Sequence, residues 1–179
     1  MPPNLQEPLL IKGDIDGALV FNLTRYFNLV LNRQDPDKDF NWMPFGDYGM
    51  DLYSNGLMVS QKMIKENPKA VTALVRATNK AMLETALDQN LGMKGVMAYD
   101  NLVNEAVEKR RMQFASTQLI VSPEMKEIGM GDIKDDRMER AIGIVVEGYQ
   151  LTRKPAASEV FSRQFLPPKA ERELVYTQN

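Results

Sequence analysis

The chain contains neither cysteine nor histidine. The missing cysteine removes disulfide frameworks, thiolate nucleophiles, iron–sulfur clusters and cysteine zinc sites. The missing histidine removes the Ser-His-Asp triad, imidazole acid–base catalysis near neutral pH and His-rich metal sites. Carboxylates, lysines, tyrosines and backbone groups are what remains for chemistry. Charge of one sign is lacking too. Against 24 Asp+Glu stand 22 Lys+Arg, a formal net charge of −2, and that near balance argues against a nucleic-acid binder, which needs a basic face to displace counterions. No apolar run approaches the ~18 residues of a membrane span. The opening MPPNLQEPLLIKGD has no basic region, apolar stretch and small-residue cleavage site of the signal-peptide kind.

What is present reads as soluble and globular. The 179 residues are 44% hydrophobic and 26% charged, with a mean hydropathy of −0.35 and a pI near 5.3. The length is that of one ordinary domain, enough for a sizeable core.

Pattern along the chain predicts a helix over Pro3–Lys12, closed by Gly13, with Leu5, Leu9 and Leu10 on one side and Pro8 working against it. The apolar run Gly17–Phe21 fits a strand buried on both faces, as in a parallel sheet. Thr24–Arg33 carries Tyr26, Phe27, Val30 and Leu31 on a helical stripe. Gln34–Lys38 is a turn, Phe40–Phe45 a strand ending at Pro44, and Leu57–Val59 a short buried strand. Ser60 caps a helix over Gln61–Glu66, and Asn67-Pro68 opens another over about Lys69–Asp88. That helix shows Val71, Leu74, Val75, Thr78, Met82, Thr85 and Ala86 on one face. Gly92 and Gly95 interrupt the pattern. Helical spacing resumes over Leu102–Leu119, and Ser122-Pro123 caps a short helix ending near Gly129. Asp135–Tyr149 follows with Met138, Ala141, Ile142, Val145 and Tyr149 on its stripe. A proline-bearing tail from Thr152 is expected to wrap the surface. About three short strands are too few for a doubly wound sheet of five or six, so strands completing the sheet are expected to lie outside this chain.

Two places suit a ligand. Asp47–Gly56 (DYGMDLYSNG) combines two carboxylates, two tyrosines, an amide and glycines between apolar segments. Tyrosines offer flat faces and a hydroxyl, while Asp and Asn supply acceptors and donors for a polar solute. The plainer alternative is an inter-strand connection whose tyrosines cover the core edge. Asn22 and Thr24 stand where the Gly17–Phe21 run ends and a helix begins. There α/β sheets bind ligands at free helix N–H groups, or Asn22 simply caps the helix.

Elsewhere ordinary structure accounts for the pattern. Glu105 and Lys109, with Glu108, Arg110 and Arg111, read as a solvated helix face. The methionines, Met58, Met82 and Met138 among them, read as core. Asp132, Asp135 and Asp136 suit a helix N-terminus and lack calcium-loop spacing. No metal and no cofactor is expected.

The order of these segments carries a resemblance. LQEP at Leu5–Pro8, GDIDGA at Gly13–Ala18, DYGMDLYSNGLMVS at Asp47–Ser60, KENPKAV at Lys65–Val71, LVRA at Leu74–Ala77 and the ending Pro155–Phe161 through Phe165–Pro168 resemble periplasmic solute-binding proteins of ABC importers. The group handling nitrate, sulfonates, taurine and thiamine-pyrimidine precursors is the one it is most similar to. The resemblance implies an α/β chain, a helix-rich part of the two-lobed periplasmic-binding-protein type II fold with the N-terminal lobe largely missing. In that scheme residues 1–46 form part of the second lobe, 47–60 the crossover and hinge, and 61–179 a helical part returning to the first lobe.

It also implies a binding protein rather than an enzyme, periplasmic in the full-length family, with a small-molecule solute and an ABC permease as partners. Lobe closure would trap the solute. The ligand residues it points to are Asn22, Thr24, Asp47, Tyr48, Tyr53 and Asn55, with a pyrimidine favoured over a sulfonate-like solute. Two rivals share the fold: the ligand-sensing domain of a transcription regulator, and a relative of a pyrimidine-forming enzyme. The latter depends on histidine and cysteine, which this chain lacks. Exposed sheet edges are expected to draw copies into a homo-oligomer.

Overall fold

The computed structural model describes residues 2–174. Among them there is no strand and no sheet, and the structure is 60% helical. The α/β expectation, and with it the two-lobed type II fold and its sheet edges, is thereby corrected. The physical reason is local. A strand exists only against a neighbour that takes up its N–H and C=O groups. The Gly17–Phe21 and Leu57–Val59 runs have no such neighbour. They lie extended, with Leu19 77% and Phe21 74% exposed and Met58 95% exposed. Their apolar composition signals burial that the described residues do not supply. The Phe40–Phe45 run is extended as well, until a 3₁₀ turn at Phe45–Tyr48.

Nine α-helices are described: α1 (Pro3–Lys12), α2 (Asn22–Leu31), α3 (Gln61–Glu66), α4 (Pro68–Leu87), α5 (Gln89–Tyr99), α6 (Glu105–Phe114), α7 (Pro123–Ile128), α8 (Asp135–Gly148) and α9 (Ala157–Val160). Helix starts follow their side-chain chemistry. Ser60 Oγ accepts from Met63 N at 3.2 Å, and Ser122 Oγ accepts from Met125 N at 3.0 Å. Asn104 Oδ1 accepts from Val107 N at 3.2 Å. Each satisfies an amide that the helix itself leaves unpaired. Gly13 ends α1 in the left-handed region, at φ 78°, and Pro8 is accommodated inside that helix.

Helix α5 departs from expectation by running through both Gly92 and Gly95. Asp88 caps it, accepting from Asn90 N at 2.9 Å. Gly92 then lies where α4, α5 and α6 meet: a Cβ there would stand 2.6 Å from Thr85 Cγ2 and 2.8 Å from Met112 Sδ. The missing side chain lets α5 approach its neighbours. Close packing of three helices outweighs a helix-propensity cost of about 1 kcal/mol per glycine. Helix α6 continues into a π-helical turn over Ala115–Ile120.

Two apolar centres hold these helices. Tyr26 and Phe27 of α2 meet Phe114 of α6, with ring centroids 5.3 Å and 5.8 Å apart, and Trp42 packs on Tyr26 at 6.0 Å. The second centre joins Leu83 of α4, Met125 of α7 and Met130, with Ile120 and Leu174 against it. The buried methionines are Met93, Met125 and Met130, whereas Met58 and Met82, expected in the core, are exposed and Met138 is half-buried. The tail is docked by two arginines. Arg172, buried, donates to the carbonyls of Pro167 (2.8 Å), Met130 (3.0 Å) and Ile128 (3.3 Å) and pairs with Asp132 at 3.3 Å. Arg163 pairs with Asp132 at 2.7 Å and with Asp135 at 2.8 Å. The loop they grip turns through Gly129 (φ 88°) and Gly131 (φ 75°). At Gly129 a Cβ would stand 2.9 Å from Arg172 Nη1, so a side chain there is opposed by both backbone and neighbour.

Packing is loose for the size of the chain. It exposes 13104 Å², where a compact monomer of this mass exposes about 8,800 Å².

Candidate functional site

The segment after the 3₁₀ turn, residues 49–60, has no regular structure and is tied to the helical body through one cluster. Tyr53 is half-buried, and its hydroxyl donates to Glu124 of α7 and accepts from Lys134 N at 2.8 Å. The Arg137 guanidinium of α8 lies over the Tyr53 ring, 4.2 Å from its centroid. That guanidinium also pairs with Asp51 at 2.6 Å and with Glu124 at 3.3 Å. A cation over an aromatic face, paired at the same time with two carboxylates, is a mutually reinforcing arrangement. Burial raises the pKa of the Tyr53 hydroxyl above its ordinary value, and the bond to Glu124 raises it further. The neutral, donating phenol is therefore the form this cluster selects. Its hydroxyl is engaged both as donor and as acceptor, so the group acts first as an anchor for the segment.

The other sequence-predicted residues are disposed differently. Asp47 and Tyr48 share the exposed turn Phe45–Tyr48, and Tyr48 is 65% exposed. Asn55 is exposed as well. Asn22 is the first residue of α2 rather than its cap, a place taken by Phe21, and its Oδ1 accepts from Leu23 N at 2.7 Å. Thr24 is exposed one turn in. Among the described residues no side-chain hydrogen bond or ion pair joins any two of the six. Sequence reading passed over Glu124, Lys134 and Arg137. Each lies more than seventy residues from the segment it holds, and no local spacing signals such a pairing.

A groove of about 630 Å³ opens between α4 and α5, apolar along Ala81, Leu91, Val96 and Val103 with Glu84 and Asp100 at its rim. None of the six residues lines it. Gly95 does, and a Cβ at Gly95 would meet nothing within 4 Å. Among the described residues no cluster of three or more Asp or Glu is placed to hold a metal ion, and no helix is long and apolar enough to cross a membrane.

The family model described as NMT1/THI5 like matches residues 4–90, just under half of the chain. No curated protein and no solved structure matches the chain. The matched stretch contains all six of the residues above, whereas Glu124, Lys134 and Arg137 fall outside it. The family consists mostly of periplasmic solute-binding proteins of the ABC-importer type rather than enzymes, with an ABC permease as partner. Over residues 4–90, then, the chain is similar to the NMT1/THI5-like family, the group of nitrate, sulfonate and thiamine-precursor binding proteins.

Proposed function

We propose that this chain binds a small nitrogen-bearing aromatic solute of the pyrimidine kind, for delivery to an ABC permease. One observation carries the reading: the family match spans every residue that the sequence singles out for ligand contact, from Asn22 to Asn55. The chemistry of those residues suits such a ring. Tyr48 presents an exposed aromatic face for stacking, and Asp47 beside it offers a carboxylate to an amine or ring N–H. Asn55 supplies a donor and an acceptor together. Asn22 and Thr24 add polar groups at the start of α2, and Tyr53 fixes the course of the segment that follows Tyr48. A sulfonate-like solute is the competing ligand, and the carboxylate of Asp47 disfavours an anion at that end.

Calorimetric titration with hydroxymethylpyrimidine analogues and with alkyl sulfonates separates the two. Binding of a pyrimidine, weakened by Tyr48→Ala and by Asp47→Asn, is the expected outcome. Absence of heat with every pyrimidine overturns the choice of ligand. The enzyme alternative is addressed by the same samples: a bound pyrimidine that emerges chemically unchanged removes it.

A further inference from the structure

We infer that Asn55-Gly56 is a site of spontaneous covalent modification, at which the chain turns Asn55 into aspartate and isoaspartate through a succinimide ring. The modification does not depend on solute binding. It starts from the dipeptide itself, since Asn55 is the one asparagine of this sequence that glycine follows. The ring closes when the backbone nitrogen of the next residue attacks the asparagine side-chain carbonyl carbon, and the chain must bend for the two to meet. Glycine, lacking Cβ, opposes that bend least. Both reacting atoms belong to one chain, so no second molecule has to be brought to them.

The fold leaves this pair unprotected. Among the described residues, no backbone group from Ser54 to Val59 donates or accepts a backbone hydrogen bond, and neither the Asn55 side chain nor the Gly56 amide has a side-chain partner. Ser54, Asn55 and Gly56 are all exposed. A Cβ at Gly56 would meet nothing within 4 Å, so the space in which the ring forms is open. A helix or a sheet ties up the attacking N–H and fixes the backbone around it, and this segment has neither. Tyr53 on Glu124 before the pair and Ser60 capping α3 after it confine the change to the short exposed span between them.

Other asparagines are held back. Asn67 precedes Pro68, which has no N–H to attack with. The Leu102 amide, next to Asn101, donates to Asp100 Oδ1 at 2.9 Å. Asn79 is buried within α4, and Asn104 Oδ1 accepts from Val107 N. Asn41 is exposed like Asn55 but precedes the bulky Trp42, which makes it the internal comparison.

The step balances with water alone. Gly56 N loses its proton and bonds to Asn55 Cγ, the Cγ–Nδ2 bond breaks, and ammonia leaves with the proton. Water then opens the ring. Cleavage at Cγ gives aspartate, and cleavage at the main-chain carbonyl gives isoaspartate, with the backbone rerouted through the side chain. One water enters, one ammonia leaves and nothing is oxidised or reduced. The product carries an added carboxylate, in a segment that already holds Asp47 and Asp51 and a chain of formal net charge −2. Where Asn55 contacts the solute, as proposed above, its donor is lost and only acceptors remain.

The full folded chain, held at mildly alkaline pH and sampled over time, tests the site by peptide mass spectrometry with fragment spectra that separate Asn55 from Asn41. Asn55 is expected to lose its amide within about twofold of the rate in a free peptide of residues 51–60, because no local opening is needed first, while Asn41 stays intact far longer. Enzymatic methylation is expected to reveal isoaspartate at the same position. Gly56→Ala, whose Cβ has room, should slow the loss about tenfold with unchanged circular dichroism. An Asn55 amide that persists in the folded chain while the peptide loses it overturns the inference. So does loss at the wild-type rate in Gly56→Ala, or loss at Asn41 as fast as at Asn55. The effect on solute rests on the reading above and is measured separately, by titrating fresh and aged protein with the hydroxymethylpyrimidine analogue. Aged protein should bind about fivefold more weakly; fresh protein that binds no pyrimidine defeats the solute reading and leaves the modification standing.

Discussion

Gly92 and Gly95 lie three residues apart in α5 and invite one substitution with opposite outcomes. Replacing either by alanine relieves the unfolded chain of glycine's freedom and adds helix propensity, worth about 0.5–1 kcal/mol where the site has room. At Gly95 a new Cβ meets nothing within 4 Å, so Gly95→Ala should deliver that gain whole. At Gly92 the same Cβ would stand 2.6 Å from Thr85 Cγ2 and 2.8 Å from Met112 Sδ. Met112 is long and can swing aside. Thr85 is β-branched and stiff at χ1, so α4 and α5 must separate by several tenths of an ångström. Such overpacking costs about 1–3 kcal/mol, which exceeds the propensity gain. Gly92→Ala is therefore expected to lose about 1 kcal/mol net, a gap of about 2 kcal/mol between the variants. Urea unfolding followed by circular dichroism reads that gap as a difference in midpoint at common slope. If Gly92→Ala proves as stable as Gly95→Ala, the close approach of α4, α5 and α6 is not what holds Gly92 in place.

Two further outcomes follow from the anchors. The Tyr53 hydroxyl has its pKa raised by burial and by Glu124, so its contribution is fully present below the unfolded tyrosine value of about 10 and is lost as pH rises through the higher folded value. Stability measured across pH 9–12 should fall on that account, and Tyr53→Phe should flatten the fall; an unchanged alkaline limb in the variant would contradict it. Arg172→Ala removes a buried guanidinium from three carbonyls and Asp132, at a cost of about 3–5 kcal/mol. Limited proteolysis should then cut the tail near Phe165 faster than in wild type, and equal rates would show that the tail is held by other means.

Much of the helical framework was legible because helix starts are written locally. Ser60 and Ser122-Pro123 mark boundaries that the structure keeps, since a cap and the amide it satisfies lie within three residues of each other; Asp135 opens α8 as expected, without a side-chain cap. Asn67-Pro68 marked the right place for a different reason. Pro68 stands at the first helical position, and the Asn67 side chain makes no capping bond. Helix α5 was missed because Gly92 and Gly95 weigh on local propensity, whereas the contacts that favour the helix come from Thr85 and Met112 on neighbouring helices. The stripe on α4 was read by period alone, which named Leu74 and Met82 and passed over Asn79 and Leu83. Val71, also on the stripe, is buried, and so are Asn79 and Leu83, because the cover of the latter two comes from Met125, Met130 and Gly131, far along the chain. The apolar runs Gly17–Phe21 and Leu57–Val59 have the composition of buried strands, yet among the described residues neither forms a strand. Composition states an appetite for a partner and does not supply one. In the site, composition singled out Asp47, Tyr48 and Asn55 as ligand contacts, and the structure leaves all three exposed, while the pull of Glu124 and Arg137 on Tyr53 was not legible.

The large exposed surface has a thermal consequence. Unfolding heat capacity follows the apolar area newly exposed to water. A chain that already exposes 13104 Å² when folded has less left to expose. Set against an unfolded surface scaling with mass, the area released is about four-fifths of that for a compact chain of this size. The stability curve of the monomer is accordingly flatter, with stability spread over a wider span of temperature around a lower summit. Curvature returns only where surface is newly covered, so heat capacity itself becomes a function of who else is in solution.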